Sequence, residues 1–239
     1  MFHYYYDAWL ERLLKDETSM LKKTLSRVLR KAYRISVVLG LRAKYYRSPI
    51  DLKIFLRDSN DKESQCISAL DVGSGPKPRN PFGAHSVYGV DIRSFDVNPN
   101  VKKCILGKES IPFEDNLFNA ITAYDVLEHI PRVANEKNMV VFPFVMLMNE
   151  IWRVMKVGGL FYSETPCFPM KEAFQDPTHV NIMTEDTLRL YFSESAWARI
   201  YGFVGSFSLV AEGWRGSHYF CVLQKTTETP LLKLNEPQK

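Results

Sequence analysis

Ala69-Leu-Asp-Val-Gly-Ser-Gly75 reads as a buried strand that runs directly into a tight glycine turn. Glycine tolerates positive φ and lets a ligand approach the backbone closely. In open α/β sheets, ligands bind beyond the carboxyl ends of the strands, which is where this turn falls. The next apolar run, Ser86–Asp91, ends in Tyr88-Gly-Val-Asp91. Asp91 follows Asp71 by about 20 residues, the separation at which a second-strand carboxylate meets a ribose. Such a carboxylate can accept hydrogen bonds from both ribose hydroxyls. Together the turn and the acid describe a nucleoside site, which dinucleotide-binding folds share. The turn continues Gly73-Ser-Gly75-Pro-Lys-Pro78. It lacks the third glycine, and its two prolines disfavour a helix N-terminus packed against a pyrophosphate.

Outward from this unit the chain divides into three. Residues 1–62 read as a basic helical extension or cap. Leu10, Leu13, Leu14, Leu21, Leu25, Val28 and Leu29 follow one helix face, and Lys22, Lys23, Arg27, Arg30, Lys31 and Arg34 decorate the rest. Residues 63–225 read as an α/β domain, and 226–239 as a flexible polar tail. Within the domain, Ile67–Val72, Ser86–Asp91, Lys103–Leu106, Ala120–Tyr124 and Leu160–Glu164 are predicted strands. Met146–Met155 is a predicted helix closed by Gly158-Gly159. Strands separated by helices imply a parallel sheet with right-handed crossovers. Phe203–Ala211 and His218–Gln224 lie too close together for a helix between them and should pair antiparallel at a sheet edge.

Hydrophobic residues make up 46% of the 239 and aromatics 13%, enough for a sizeable core. The apolar runs fall short of the roughly 18 residues a membrane span needs, and the N-terminus does not read as a secretory signal. Cys66, Cys104, Cys167 and Cys221 are too far apart in sequence for a zinc or redox motif and read as reduced core thiols. These features point to a cytoplasmic protein. The net charge of +4 is unevenly spread. Residues 1–60 hold 13 Lys and Arg against 6 Asp and Glu, and the remainder is mildly acidic. That basic quarter is either a solvated helix face or a contact for an anionic partner, such as the inner membrane surface.

Four segments, in order, resemble class I S-adenosylmethionine-dependent methyltransferases of the type 11-like group. Leu70-Asp-Val-Gly-Ser-Gly-Pro76 resembles their first motif. Ile111-Pro-Phe-Glu-Asp-Asn-Leu-Phe-Asn-Ala120 and Asp125-Val-Leu-Glu-His129 resemble the stretches flanking their fourth strand. Glu150-Ile-Trp-Arg-Val-Met-Lys-Val-Gly-Gly159 resembles their helix-to-strand turn. The resemblance covers roughly residues 66–225. It implies a Rossmann-like seven-stranded sheet, mostly parallel with an antiparallel final strand, and S-adenosylmethionine as cofactor. By matching position, Asp71, Gly73 and Gly75 should surround the methionine part. Asp91 should hold the ribose, Ile92 should pack on the adenine, and Tyr124 and Asp125 should face the cofactor. The position matching the family's adenine-binding Asp is Gly107, so nearby Glu109 is the expected substitute.

Methyl transfer is an in-line displacement, and alignment of the reacting groups can supply on the order of 7–11 kcal/mol. An alcohol acceptor also needs a base, because its own pKa lies far above neutrality. His179, in Gln175-Asp-Pro-Thr-His-Val-Asn181, is the first candidate, with Asp176 or Thr178 to orient it; His129 is the second. A metal held by Asp176, His179 and either Glu128 or His129 is conceivable, but the spacing does not support it, and no metal is expected. Phe161, Tyr162, Phe168 and Phe174 flank the acceptor side, where aromatic faces suit sugar rings. Tyr4, Tyr5, Tyr6 and Trp9 either line a cap or pack beneath the first helix.

The segment through Asp176 and His179 resembles those of methyltransferases encoded with polysaccharide-assembly enzymes, which implies O-methylation of a sugar or glycan. Another small metabolite or RNA remains an alternative acceptor, although no nucleic-acid-binding module is visible. A non-catalytic cofactor-binding scaffold is the alternative of a different class. Acceptor identity, oligomeric state and pathway are not encoded legibly.

Overall fold

The computed structural model describes residues 66–227, together with Val28, Lys31, Ala32 and Leu52. The extension expected over 1–62 and the tail expected over 226–239 thus lie outside the described residues, apart from those four and Thr226 and Thr227. Val28, Lys31 and Ala32 are helical and exposed.

The strands are β1 (Ser68–Val72), β2 (Ser86–Asp91), β3 (Val101–Lys103), β4 (Phe118–Tyr124), β5 (Ala134–Glu136), β6 (Met139–Val141), β7 (Met155–Pro166), β8 (Phe207–Arg215) and β9 (His218–Lys225). Seven form one sheet in the order β3-β2-β1-β4-β7-β9-β8, and β5 with β6 forms a separate hairpin. The pairs β1–β2, β2–β3, β1–β4 and β4–β7 are parallel, whereas β9 is antiparallel to both its neighbours. The last strand therefore slots between β7 and β8 and is the one reversed member. This is the α/β, Rossmann-like sheet expected from the sequence.

Parallel strands are buried on both faces, which explains their near-continuous apolar runs. Alternation sends Leu70, Val72, Ile121, Ala123 and Phe161 to one face. There they meet α1 (Pro143–Val154), which buries Phe144, Leu147, Met148, Ile151 and Val154 along one stripe. Pro143 suits the first helical position, where an amide N–H would have no partner. At the other end, the buried Lys225 ammonium donates to the carbonyls of Trp152 and Met155 at 2.7 Å each, satisfying orphan acceptors of the helix terminus. The opposite face carries a smaller cluster of Ala69, Ala120, Leu160, Tyr162, Phe220 and Val222. Phe82 and Leu52 cover it, so the N-terminal region contributes to the core through Leu52.

Several expectations need correction. The first three crossovers contain no helix: residues 73–85, 92–100 and 104–117 form turns and irregular loops. Pro76 and Pro78 account for the first of these. The third strand is Val101–Lys103, earlier than Lys103–Leu106, because the chain turns after Cys104 bonds back to Asp91 O. The Glu109 carboxylate then caps that turn at Ile105 N, 2.7 Å away. The helix begins at Pro143 and gives way to strand at Met155, with Gly158 at φ 77° turning the chain inside the strand's first residues. The first hairpin strand is Phe207–Arg215 rather than Phe203–Ala211. Residues 203–205 instead tie to Asn149 and Arg199. The β5–β6 hairpin was not foreseen. Its turn residues Lys137 and Asn138 both have positive φ, which a Lys-Asn pair signals only weakly. Among the cysteines, Cys66 is exposed, while Cys104, Cys167 and Cys221 are buried free thiols. Among the described residues, no helix is long and apolar enough to cross a membrane.

Candidate functional site

The carboxyl ends of β1, β2, β4 and β7 converge on one rim. The glycine turn leaves β1 and folds back on β2: Gly73 N and Ser74 N donate to Val90 O at 2.8 and 3.1 Å. Gly73 has φ 71°, and a Cβ there would lie 2.6 Å from Val126 Cγ2, so only glycine fits. Gly75 has φ 61° and an open outer side, where the nearest atom to a built Cβ is Arg93 Nη2 at 3.9 Å. A backbone without a side chain, facing open space, is a cradle that a ligand can fill.

Asp91 ends β2 with its carboxylate beneath this turn. Oδ2 accepts Gly75 N at 2.9 Å, and Oδ1 accepts Arg93 N and Nε at 2.9 and 3.0 Å. Burial pushes its pKa up, but these hydrogen bonds outweigh burial and hold it below the usual carboxylate value. The Arg93 side chain is 67% exposed. It covers the carboxylate from the solvent side. Ile92, beside it, is 60% exposed, a bare apolar surface next to the Asp91 carboxylate.

Asp71 is engaged by the protein itself. Its Oδ1 accepts Thr122 Oγ1 at 2.7 Å across the β1–β4 pairing, and its Oδ2 accepts Arg79 N at 2.8 Å. The carboxylate braces the glycine loop rather than facing open space. Burial raises its pKa against those two bonds. Tyr124 is likewise engaged, with its ring against Tyr162 at 5.2 Å and beneath the Arg79 guanidinium at 4.4 Å. Asp125, at φ 52°, pairs with His218 Nε2 at 2.8 Å. Glu109 is exposed, and its carboxylate is engaged at Ile105 N. Gly107 cannot be replaced by an acid in place. A Cβ there would stand 2.6 Å from Pro143 O, so the start of α1 excludes the side chain that the family pattern leads one to expect.

The histidines meet beside this rim. A single 3-10 turn, Leu127–His129, follows β4, and Val126 at its start packs on Gly73. The loop 176–181 is stitched onto that turn. Val180 N and Asn181 N both donate to Glu128 O at 2.9 Å, and buried Asn181 Nδ2 donates to Leu127 O at 3.1 Å. His129 and His179 are thereby brought edge to face, with ring centroids 4.9 Å apart. Glu128 lies beneath them, 1% exposed, with Oε2 accepting Thr165 Oγ1 at 2.6 Å. Its burial raises its pKa despite that hydrogen bond. Asp176 Oδ1 accepts both Thr178 N and Thr178 Oγ1, at 2.8 and 2.7 Å. Its Oδ2 stands 3.9 Å from His179 Nε2. Thus His179, His129 and Asp176 lie together, with His179 held by the Ala173 carbonyl at 3.2 Å and Thr178 against His129 instead. Glu128, Thr165 and Asn181 were missed as members of the set; only Glu128 carried a signal, its place beside His129.

Phe168 and Phe174 are 50% and 55% exposed and meet edge to face at 6.4 Å. They flank the segment whose Ala173 carbonyl holds His179. Phe161 and Tyr162, by contrast, are fully buried on opposite faces of β7 and cannot contact an acceptor. Beyond the histidine loop, a cavity of about 450 Å³ is lined by Arg132, Phe142, Ile182, Tyr191, Phe192 and Tyr201 among others.

No protein-family model matches the chain, and no curated protein matches it. Among solved structures, it is similar to a SAM-dependent methyltransferase from Archaeoglobus fulgidus, with 16% identity and TM-score 0.46 over 73% of this chain and 93% of that one. It is also similar to a SAM-dependent methyltransferase from Methanosarcina mazei, with 17% identity and TM-score 0.43 over 69% and 95%. The [4+2]-cyclase SpnF matches at 15% identity and TM-score 0.44 over 68% and 75%. None of these likenesses is close enough to assign an activity.

Proposed function

We propose that this chain is an S-adenosylmethionine-dependent methyltransferase whose acceptor is a hydroxyl of a sugar or glycan. The observation that carries the cofactor half is the glycine loop itself. It presents Gly75 openly above the Asp91 carboxylate, and no helix follows it in residues 73–85. A dinucleotide site uses a helix N-terminus at this point to hold its pyrophosphate. A nucleoside cofactor without a pyrophosphate needs only the acid, the bare loop and an apolar face. Asp91 takes the ribose hydroxyls once Arg93 swings away, Ile92 takes the adenine, and Gly73 and Gly75 border the methionine part. Asp71 and Tyr124 act from behind by fixing the loop and Arg79. The reversed β9 between β7 and β8 agrees with the sheet that the four sequence motifs imply.

Bound S-adenosylmethionine supplies an electrophilic methyl carbon and a thioether leaving group. The chain has to hold the acceptor oxygen in line and dispose of its proton. The cluster of His129, Glu128 and His179 suits proton removal. His179 is oriented by the Ala173 carbonyl and lies near Asp176. The exposed Phe168 and Phe174 offer faces for a sugar ring. The basic N-terminal quarter favours an anionic donor or membrane surface and a cytoplasmic setting.

Calorimetric titration with S-adenosylhomocysteine tests the cofactor half, with NAD run alongside. Binding of NAD alone, or of neither at millimolar ligand, would overturn the reading. A labelled-cofactor screen of sugars, nucleotide sugars and small phenols tests the acceptor half. In it, His179→Ala should lower turnover while leaving S-adenosylhomocysteine affinity unchanged.

A further inference from the structure

The histidine cluster contains an unexplained atom. Glu128 is 1% exposed, yet its Oε1 has no hydrogen-bond partner among the described residues. A buried, unpartnered carboxylate oxygen is costly and calls for a water or an ion. His179 Nε2 stands 4.0 Å from Glu128 Oε1, too far for a hydrogen bond. One ligand atom from each of Glu128, His129 and His179 lies within 4.8 Å of the others.

The outer hydrogen bonds fix both imidazoles for coordination. His179 Nδ1 is 3.2 Å from Ala173 O, an acceptor only, so Nδ1 carries the proton and Nε2 keeps its lone pair. His129 Nδ1 lies 3.2 Å from Thr178 O and 3.1 Å from Thr178 Oγ1. The Thr178 hydroxyl already gives its hydrogen to Asp176, so His129 Nδ1 is again the donor. Both rings therefore keep the Nε2 lone pair for coordination. Glu128 is held in turn by Thr165 Oγ1. Ligating imidazoles typically donate their second N–H to a carbonyl or carboxylate in this way.

We propose that Glu128, His129 and His179 hold a divalent first-row transition ion such as Mn²⁺ or Zn²⁺, with Asp176 in reach as a further ligand. Ligand atoms about 2.1 Å from a shared ion lie roughly 3–4 Å from one another, so the cluster needs to contract by only about an ångström. Two imidazoles and a carboxylate favour such an ion over Mg²⁺ or Ca²⁺, and three protein ligands leave positions open. The proposal departs from the expectation of no metal. Asp176, His179, Glu128 and His129 are spread along the sequence, and only the bonds to Glu128 O bring the two segments together. The use of the ion rests on the methyltransferase reading; its binding does not. In that reading, with the ion bound, the two imidazoles would serve as ligands in place of a base, and the open position would take the acceptor hydroxyl oxygen and ease loss of its proton to solvent, so the substrate is an alcohol able to ligate a metal.

The test uses the full chain, stripped with a chelator and then titrated with MnCl₂ and separately with ZnCl₂. Calorimetry gives stoichiometry and affinity, and Mn²⁺ electron paramagnetic resonance gives the coordination signature. The expected result is a single saturable site, weakened about 100-fold or more in His129→Ala and in His179→Ala. Titration of S-adenosylhomocysteine into the same variants reports on folding and should not change. Absence of saturable Mn²⁺ or Zn²⁺ binding by a wild-type protein that binds S-adenosylhomocysteine would overturn the metal site and leave the methyltransferase reading standing. So would binding undiminished in both variants. Histidine-dependent metal binding without S-adenosylhomocysteine binding would uphold the site and overturn the methyltransferase reading alone.

Discussion

Gly75→Ala separates ligand binding from folding at the glycine turn. At Gly75 a Cβ meets only Arg93 Nη2 at 3.9 Å, whereas at Gly73 it would meet Val126 Cγ2 at 2.6 Å. Alanine at 75 therefore costs the left-handed backbone and little else, about 1–2 kcal/mol. For a chain of this size, each kcal/mol lowers Tm by about 2–4 °C. The protein stays folded. If the cofactor passes over Gly75, however, the new methyl group occupies its space. Overpacking of that kind costs about 1–3 kcal/mol, which is roughly a 5- to 150-fold loss of affinity at 1.4 kcal/mol per tenfold. Calorimetry with S-adenosylhomocysteine and a thermal melt on the same sample measure the two quantities. Unchanged affinity in a folded Gly75→Ala protein would refute the placement of the cofactor over this loop. Gly73→Ala makes the contrast, because its clash with Val126 should lower stability and binding together.

Three further outcomes follow from the geometry. The Arg93–Asp91 pair is solvent-exposed on the arginine side and contributes little to stability. Arg93→Ala should therefore leave Tm nearly unchanged and S-adenosylhomocysteine affinity equal or somewhat tighter; a clear loss of affinity would assign the guanidinium to the ligand instead. His218 has its pKa raised by its hydrogen bond to Asp125. Burial pushes the Asp125 pKa up, but the bond to His218 outweighs it and the net shift is downward. The pair should stabilise the fold fully between the ordinary values of 3.8 and 6.5. That contribution fades as pH rises through the raised His218 value, and also as pH falls through the depressed Asp125 value. Denaturation midpoints across pH should flatten in His218→Gln, and an unchanged profile would remove the pair from the account. Arg153 donates to Phe113 O, Ile111 O and Asp115 at 2.9, 2.8 and 2.6 Å and pairs with Glu150. Arg153→Ala leaves these acceptors short and should cost about 2–4 kcal/mol in urea unfolding.

The Arg153 clamp also explains why two distant motifs were legible at all. Glu150 Oε2 accepts Ile111 N at 2.8 Å, so the Ile111-Pro-Phe segment and the Glu150-to-Arg153 segment are two halves of one contact. Their residue types are fixed by that contact rather than by chemistry with a ligand. Asp71 is similar: its identity was readable, but its role was not, because Thr122 becomes its partner only through the register of β1 against β4.

The sequence alone determined the sheet and the nucleoside turn. Both rest on local patterns: apolar runs of strand length, glycines needed for positive φ, and an acid closing the second strand. Pro76 and Pro78 are local too, and they account for the missing helix of the first crossover, where the strand–helix alternation led one to expect a helix. Tertiary structure alone decided the rest of that same turn. It placed Gly75 open and Gly73 closed, covered Asp91 with Arg93, and excluded an acid at Gly107 through the start of α1. It also folded the Asp176–Asn181 loop onto the turn at Glu128, so that two histidines far apart in sequence meet beside a buried carboxylate. Periodicity reports which side of its own element a residue faces. It carries no information about which distant loop will dock there.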